Sequence, residues 1–257
     1  MALEVLIFDV DGTLAETEEW HRHAFNAAFA AAGLGWHWDQ ALYGELLEVT
    51  GGKERIRHYA VTCGEAIDDD AIARLHAAKT TRYVASVEAG AITLRPGVSR
   101  LLHEAQAAGL RLAIATTTSP ANVTALLRTT LGPEGPGLFA CIGAGDMVAA
   151  KKPAPDIYRL VLDRLQVAPE CCVAFEDTPN GLHAARGAGI PTVVTTSLYG
   201  GTAGFEDALI VVDGLGETDA PCRVLRGVPI DGPVLGVADL RRALRDAPAS
   251  RFRVTPE

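Results

Sequence analysis

The chain has 257 residues, of which 48% are hydrophobic and 21% are charged, and its net charge is −9. This composition is typical of a folded globular protein and excludes a disordered chain. The negative charge argues against a nucleic-acid partner, because phosphate backbones are bound by clusters of Lys and Arg.

No apolar segment of the sequence is long enough to span a membrane, so we expect no membrane partner. Glu4 and Asp9 interrupt the first apolar stretch, which argues against a signal peptide. The five cysteines are an odd number without the spacing of a metal site, and this favours a reducing compartment. We therefore expect a cytoplasmic protein, acting as a monomer.

The first predicted element is a buried strand at residues 5–8, a short apolar run that ends in Asp9 and Asp11. Open α/β sheets place their ligand sites at the carboxyl ends of strands. Two neighbouring carboxylates repel each other unless a cation or a proton lies between them. The pair therefore predicts a metal site, with Asp9 ionised and Asp11 protonated. The structural alternative is a strand followed by an Asp-Gly turn.

An all-helical segment is predicted to follow this strand, because apolar residues recur at helical spacing from Thr17 to Ser86. Asp68 is expected to cap the last of its helices. We predict a small cap domain at residues 16–89, inserted into an α/β core formed by residues 1–15 and 90–257. An insert at that position could act as a lid over the site.

Strands and helices alternate after Pro96, which predicts a mostly parallel sheet with helices on both faces. The predicted strands are residues 110–115, 138–142, 172–175, 191–195 and 209–212. The predicted helices are residues 98–108, 121–131, 155–165, 180–187 and 238–245. Residues 213–233 carry no clear pattern.

Polar residues also follow three later predicted strands, and they could form one site together with Asp9 and Asp11. Thr116 begins a hydroxyl-rich run that suits a phosphate oxygen, although it could equally be a capping run for the next helix. Lys152, after Lys151, could supply charge to a phosphate or lie on the solvated surface. Glu176 and Asp177 could complete a magnesium site, or Asp177 could cap a helix.

In order along the chain, residues 9–13, Thr116, Lys152 and the pair Glu176-Asp177 match the four motifs of the haloacid dehalogenase (HAD) superfamily of phosphotransferases. The chain resembles this family over nearly its whole length. The resemblance implies an α/β fold, with a HAD-like Rossmann-type core, a mostly parallel sheet and a small all-α cap domain inserted after the first strand.

The resemblance also implies a mechanism. Asp9 is expected to form an aspartyl-phosphate, and Asp11 to act as general acid and then general base. Thr116 and Lys152 would stabilise the phosphate oxygens. Mg²⁺ would be held by Asp9, the backbone carbonyl of Asp11 and Asp177. Glu176 would lie outside the set of metal ligands.

Residues 15–21 and 50–55 further resemble the CbbY group, phosphatases linked to the Calvin cycle that act on xylulose 1,5-bisphosphate. The implied partner is a small-molecule sugar phosphate. Residues expected to contact it are Glu18, His21, Tyr43, Gly52, Lys53, Arg55, Thr117 and Thr118. Residues 197–207 cannot be matched to the group.

Several alternatives stay open from the sequence. Lys53 and Arg55 could be solvated charges at an exposed helix start, His21 could be a core histidine, and Tyr43 could pack against a tryptophan. A β-phosphoglucomutase-like transferase and a phosphoglycolate phosphatase share the chemistry. A receiver-like module that stores phosphate on aspartate is the alternative without a small-molecule substrate.

Overall fold

The computed structural model describes residues 2–246 of the chain. Its strands are β1 (Val5–Phe8), β2 (Arg111–Ala115), β3 (Cys141–Gly143), β4 (Cys172–Glu176), β5 (Thr192–Thr195), β6 (Ile210–Val212) and β7 (Val224–Gly227). They form one sheet in the order β3-β2-β1-β4-β5-β6-β7. Every neighbouring pair is parallel except β6 and β7. The predicted α/β class with a mostly parallel sheet is confirmed.

Helices cover both faces of the sheet. They are α1 (Glu18–Ala31), α2 (Gln40–Leu46), α3 (Gly52–Thr62), α4 (Asp69–Glu88), α5 (Val98–Ala107), α6 (Pro120–Leu131), α7 (Asp156–Leu165), α8 (Pro179–Gly187) and α9 (Val237–Asp246). Among residues 2–246, no helix is both long and apolar enough to cross a membrane.

The central strand β1 is buried on both faces, as its continuous apolar sequence predicts. Val5 and Ile7 pack in a cluster with side chains of α7 and α8. Leu6 and Phe8 point to the other face and pack with side chains of α5, α6 and α9. Both layers of helices therefore fix the end of β1, from which the site residues follow.

Helices α1 to α4 form an all-helical segment between β1 and α5. They have a core of their own, rich in aromatic side chains: Phe25, Phe29, Trp36, Trp38 and Tyr43. Asp68 caps α4 by accepting a hydrogen bond from the backbone N–H of Ala71 at 2.6 Å. Helix α4 packs against α1 and also against α6 of the α/β part. The helical segment is thereby held over the sheet edge that carries the site.

The structure corrects the bounds of one predicted strand and contains one strand that no sequence pattern predicted. The strand expected at residues 138–142 begins only at Cys141, because Pro136 between two glycines forms a 3-10 turn over Gly135–Leu138. Residues 213–233 contain the strand β7, which pairs with β6 in the antiparallel direction. Of the predicted core range 90–257, residues 247–257 lie outside the described residues.

Candidate active site

The site lies at the carboxyl end of the central strand. β1 is flanked by β2 on one side and by β4 on the other, and the strand order reverses there. Because the three strands run parallel, the residues that follow them meet at one edge of the sheet. Asp9, Thr116 and Asp177 are therefore brought together from distant parts of the sequence, and all three are buried.

Lys152 lies among buried carboxylates at this edge. Its ammonium Nζ donates to Oδ1 of Asp9 at 2.7 Å and to Oε1 of Glu176 at 2.6 Å. Burial alone would lower the pKa of Lys152, but the two carboxylates outweigh it and raise that pKa. Lys152 therefore stays charged, and its ammonium group lies beside Asp9, where phosphate charge would collect.

Three buried carboxylates converge beside Lys152. Oxygens of Asp9, Glu176 and Asp177 all lie within 4.8 Å of one another. Burial raises the pKa of Asp9 and of Asp177, and charge repulsion adds to the effect, from Asp11 at Asp9 and from Asp9 at Asp177. A divalent cation relieves both causes, and carboxylate oxygens are the ligands that Mg²⁺ prefers. The chemistry of this donor set therefore fits a magnesium ion.

Glu176 differs from the other two acids because one of its oxygens, Oε1, accepts two hydrogen bonds. It accepts hydrogen bonds from Lys152 and from the hydroxyl of Tyr158. Burial is the largest of the causes that raise its pKa, to about 7. Asp177 instead accepts, among the described residues 2–246, one side-chain hydrogen bond, from Oγ of Ser197 at 2.6 Å. Asp9 and Asp177 are thus better placed to hold a metal than Glu176. Sequence reasoning did not find Ser197, which lies in the unmatched 197–207 region.

The Asp11 side chain points away from these acids and toward the helical segment. Its Oδ1 accepts hydrogen bonds from Oγ1 of Thr17 at 2.5 Å and from Nε2 of His21 at 3.0 Å. Burial would raise the pKa of Asp11, but His21 and Thr17 outweigh it and lower that pKa to about 2.

The pKa order of the two acids is therefore the reverse of the prediction, which had Asp9 ionised and Asp11 protonated. The prediction rests on a metal ion at Asp9 and on the repulsion between Asp9 and Asp11, and it does not include the hydrogen bonds that Asp11 accepts from the helical segment. A cation bound at Asp9 would lower the pKa of Asp9 and so favour its ionised form.

A buried lysine from α4 supports His21. Nζ of Lys79 lies 2.7 Å from Nδ1 of His21, whose ring stacks on Tyr83 with centroids 3.9 Å apart. Burial lowers the pKa of Lys79 to about 8. Because an ammonium group can only donate, Nδ1 accepts, and the ring proton lies on Nε2, which donates to Asp11. The sequence carries no signal for this role of Lys79.

Three adjoining cavities lie between the strand ends and the helical segment. The inner cavity (≈ 90 Å³) contains Asp9, Asp11, Thr116, Lys152, Glu176 and Asp177. The middle cavity (≈ 60 Å³) contains Asp11, Glu18, His21, Arg55 and Thr118. The outer cavity (≈ 240 Å³) contains Gly52 and Lys53. Thr117 lines all three. The structure thus brings most of the predicted site residues to one connected space.

Tyr43 does not line these cavities, unlike the other residues predicted to contact substrate. It is fully buried, its ring centroid lies 6.0 Å from that of Trp38, and its hydroxyl donates to Oε2 of Glu18 at 2.7 Å. Arg55 is also buried, and its Nη1 donates to the Tyr43 hydroxyl at 3.3 Å. Tyr43 thus holds Glu18 at the cavity, and its direct contact with substrate stays a prediction.

Comparison with known proteins agrees with this geometry. The family model for haloacid dehalogenase-like hydrolases matches residues 3–189 of the chain. The chain belongs to the haloacid dehalogenase-like hydrolase family. The motifs at Asp9, Thr116, Lys152 and Glu176 all lie inside the matched range, and the resemblance drawn from them is confirmed.

Several relatives of this hydrolase carry the name CbbY. The plasmid-encoded protein CbbY of Cupriavidus necator is 53% identical over 224 residues, covering 85% of this chain and 88% of the relative. The protein CbbY of Cereibacter sphaeroides is 49% identical over 232 residues, covering 90% and 99%. The resemblance to the CbbY group is therefore confirmed as well.

Solved structures place the hydrolase in the same group. Crystal structures of CbbY from Rhodobacter sphaeroides, one with phosphate and one of a mutant with xylulose 1,5-bisphosphate, each match with a TM-score of 0.80 and 51% identity. Each match covers 82% of this chain and 94% of the solved chain. A β-phosphoglucomutase from Clostridium difficile matches with a TM-score of 0.74 at 19% identity, which shows the shared fold alone.

Proposed function

We propose that this protein is a Mg²⁺-dependent phosphatase that hydrolyses xylulose 1,5-bisphosphate to xylulose 5-phosphate through an aspartyl-phosphate. The observation that carries this proposal is the meeting of Asp9, Lys152 and Asp177 in one buried cavity, with Asp11 at its border with the helical segment. The substrate is suggested by the CbbY structure that contains xylulose 1,5-bisphosphate, at 51% identity to this chain.

The reaction follows from the positions of two carboxylates. Asp11 is ionised in the free site, and the negative charge of a phosphate bound beside it raises its pKa, so that Asp11 takes up a proton as the substrate binds. An oxygen of Asp9 then attacks phosphorus, the bond from phosphorus to the sugar oxygen breaks, and Asp11 gives that oxygen its proton. In the second step Asp11 takes a proton from a water molecule, which attacks phosphorus and releases Asp9. Lys152 lies beside Asp9 at 2.7 Å and stabilises the charge on the transferring group. Thr116, which follows the neighbouring parallel strand β2, contributes a hydroxyl at the same end of the sheet.

Magnesium fits the acids of the inner cavity. We propose that Asp9 and Asp177 hold the ion through their carboxylates and Asp11 through its backbone carbonyl. When bound, Mg²⁺ supplies positive charge that allows an anionic nucleophile and an anionic phosphate to approach each other. Ser197 fixes one oxygen of Asp177 and leaves the other free for the ion.

We propose that residues 16–89 are a cap domain that closes over residues 1–15 and 90–257. Hydrogen bonds between the two parts support the closed arrangement. Nδ2 of Asn180 in α8 donates to the backbone oxygen of Glu48 at 3.1 Å and to Oγ1 of Thr50 at 3.2 Å. The closed position excludes bulk water from the cavity that contains Asp9.

A phosphate-release assay tests the proposed function. Wild-type protein with Mg²⁺ should release one equivalent of phosphate from xylulose 1,5-bisphosphate, whereas a mutase would convert a sugar monophosphate without net release. Phosphoglycolate is included as a rival substrate. Phosphorylated protein that persists without sugar turnover would instead indicate a phosphate-storage module.

The Asp9→Asn variant is the matched control for this assay. It removes the nucleophile with little change in volume, so turnover should fall below detection while the substrate still binds in calorimetry. Wild-type-like hydrolysis by this variant would contradict the role of Asp9.

We further propose that the protein acts in the cytoplasm as a monomer and serves the Calvin cycle. The five free cysteines suit a reducing compartment. The link to carbon fixation rests on the CbbY group, which the sequence resembles and whose name its relatives carry.

A further inference from the structure

The outer cavity has a charged border formed by residues from both parts of the molecule. Lys53 lies near the start of α3 in the helical segment, and Asp146 and Lys151 lie in the connection that follows β3. Nζ of Lys53 donates to Oδ2 of Asp146 at 2.7 Å, and Nζ of Lys151 donates to Oδ1 of the same carboxylate at 2.8 Å. One carboxylate therefore bridges two ammonium groups that come from opposite sides of the cavity.

The two lysines are held with different strength. Lys151 also donates to the backbone oxygen of Gly145 at 2.7 Å, and its side chain is only 10% exposed. The side chain of Lys53 is 39% exposed, and its ammonium contacts Asp146, whose own side chain is 65% exposed. Lys151 is thus fixed in place, whereas Lys53 can exchange its partner at little cost, as exposed ion pairs generally can.

A carboxylate between two ammonium groups occupies the position that a phosphate oxygen would take. The cavity beside it is ≈ 240 Å³ in volume. Thr117 lines this cavity and also the inner cavity that contains Asp9. Burial lowers the pKa of His76, another lining residue, to about 4, so its ring is neutral near pH 7. A substrate with one phosphate at Asp9 can therefore extend toward the two lysines.

We propose that Asp146 is a resident counter-ion of Lys53, which the second phosphate of a bisphosphate displaces. This inference rests on the proposed function. Without a second phosphate, Asp146 neutralises part of the charge at the cavity, and a monophosphate gains nothing there. When a second phosphate is present, its two negative charges take the place of the single charge of the Asp146 carboxylate beside Lys53 and Lys151. Sequence reasoning had assigned Lys53 to the substrate and had not singled out Asp146.

A simpler role for the same contact is a latch that closes the helical segment over any substrate. The two roles differ in what they predict. A latch affects bisphosphates and monophosphates by the same factor, because it acts on closure alone. A displaced counter-ion affects only the substrate that carries the second phosphate.

The test compares kcat/KM for xylulose 1,5-bisphosphate and for xylulose 1-phosphate, which carries only the phosphate to be cleaved. Asp146→Asn removes the competing charge and should raise the ratio of the two values about threefold to tenfold, with the increase fading at high salt. Lys53→Gln should lower the ratio by about tenfold. Glu170→Gln is the matched control, because it removes an exposed acid that precedes β4. Glu170 therefore lies at the amino-terminal ends of the strands, opposite the site.

The outcomes separate the inference from the proposed function. An increased ratio in Asp146→Asn, with no change in Glu170→Gln, supports the displaced counter-ion. An equal change for both substrates, or a lower ratio in Asp146→Asn, overturns it while leaving the phosphatase intact. A wild-type protein that releases no phosphate from either compound overturns the proposed function itself.

Discussion

Asp9 and Asp11 are separated by one residue, yet they meet different surroundings. Asp9 faces Lys152 and the acids of β4, whereas Asp11 faces Thr17 and His21 of the helical segment. If the strand continued past Phe8, the side chains of Asp9 and Asp11 would lie on the same face of it. Their different directions show that the chain leaves the strand conformation after β1. The chain turns back at the next residue, Gly12, whose φ is 74°, and a Cβ there would clash with the carboxylate of Asp177.

Lys79 is predicted to control proton transfer through its contact with His21. Lys79→Met removes the group that fixes the ring proton on Nε2, and also a positive charge that lowers the pKa of Asp11. We expect kcat to fall about 10- to 100-fold, less than the full contribution of acid–base catalysis. The pH at which Asp11 changes protonation should move upward in the profile of kcat.

The control for this variant is Arg57→Met, which removes an exposed cation of the same helical segment that pairs with Asp69. It should leave the pH profile of kcat unchanged. If both variants lower kcat equally with an unshifted profile, Lys79 has only a structural role. Nitrogen chemical shifts of His21 would show directly whether its tautomer depends on Lys79.

At the scale of elements, the turn between β4 and α8 decides which residue is free for the metal. The sequence left open whether Asp177 caps this helix. In the structure Thr178 is the cap, since its Oγ1 accepts from the backbone N–H of Gly181 at 3.1 Å. Asp177 is thereby left to face Asp9 and Ser197. Either residue type is a good cap, so composition alone could not separate the two.

Replacement of this cap is expected to affect both stability and metal binding. Thr178→Ala should lower the free energy of unfolding by about 1 kcal/mol, the usual value of a lost cap. Mg²⁺ affinity should fall as well, because the freed N–H of Gly181 competes for the Asp177 carboxylate. Thr178→Ser keeps the hydroxyl and should behave like the wild type in both measurements, denaturant unfolding and calorimetric titration. Unchanged Mg²⁺ affinity in Thr178→Ala would exclude the competition.

Elements that bury a clear periodic face were predictable from the sequence, and those that do not were missed. β1, β2 and β4 are continuous apolar runs with polar residues at their ends, so their position and role followed directly. β7 lies at the edge of the sheet with mostly exposed side chains, so it carries no buried alternation to detect.

The same limit applies to the site. Lys79 lies on α4, Ser197 in a loop and Asp146 after β3, far in sequence from the residues they contact. No local pattern distinguishes a lysine that enters a cavity from one on a solvated helix face. Only the tertiary packing of α4 on α1 buries Lys79 beside His21.

For the whole molecule, the buried acids predict how stability depends on pH and metal. Burial raises the pKa of Asp9 and Asp177 in the folded state above the unfolded values. A carboxyl group with a raised pKa favours folding only while it is protonated, so this contribution is lost as pH rises through the raised pKa. Mg²⁺ binds the deprotonated acids, so its stabilising effect should grow with pH.

We expect Mg²⁺ at about 100 times its Kd to raise the Tm by roughly 5–10 °C near pH 8 and by much less near pH 5.5. Thermal denaturation with and without Mg²⁺ measures this directly. Asp177→Asn removes one buried charge, so it should melt higher than the wild type in metal-free buffer at pH ~8 and respond little to Mg²⁺. A pH-independent increase in the wild type would show that these acids do not hold the ion.

The position of the helical insert constrains how the chain can fold as it is made. Val5 pairs with Arg111 and with Cys172, so β1 stays unpaired in the nascent chain until both neighbouring strands have been synthesised. The helices of residues 18–88 have their own aromatic core, and α1 packs against α4 within this one segment, so the insert can assemble before the later strands are made. Nascent chains should therefore gain protease resistance in two stages, first in the insert and only after Glu176 has emerged in the segment that contains β1.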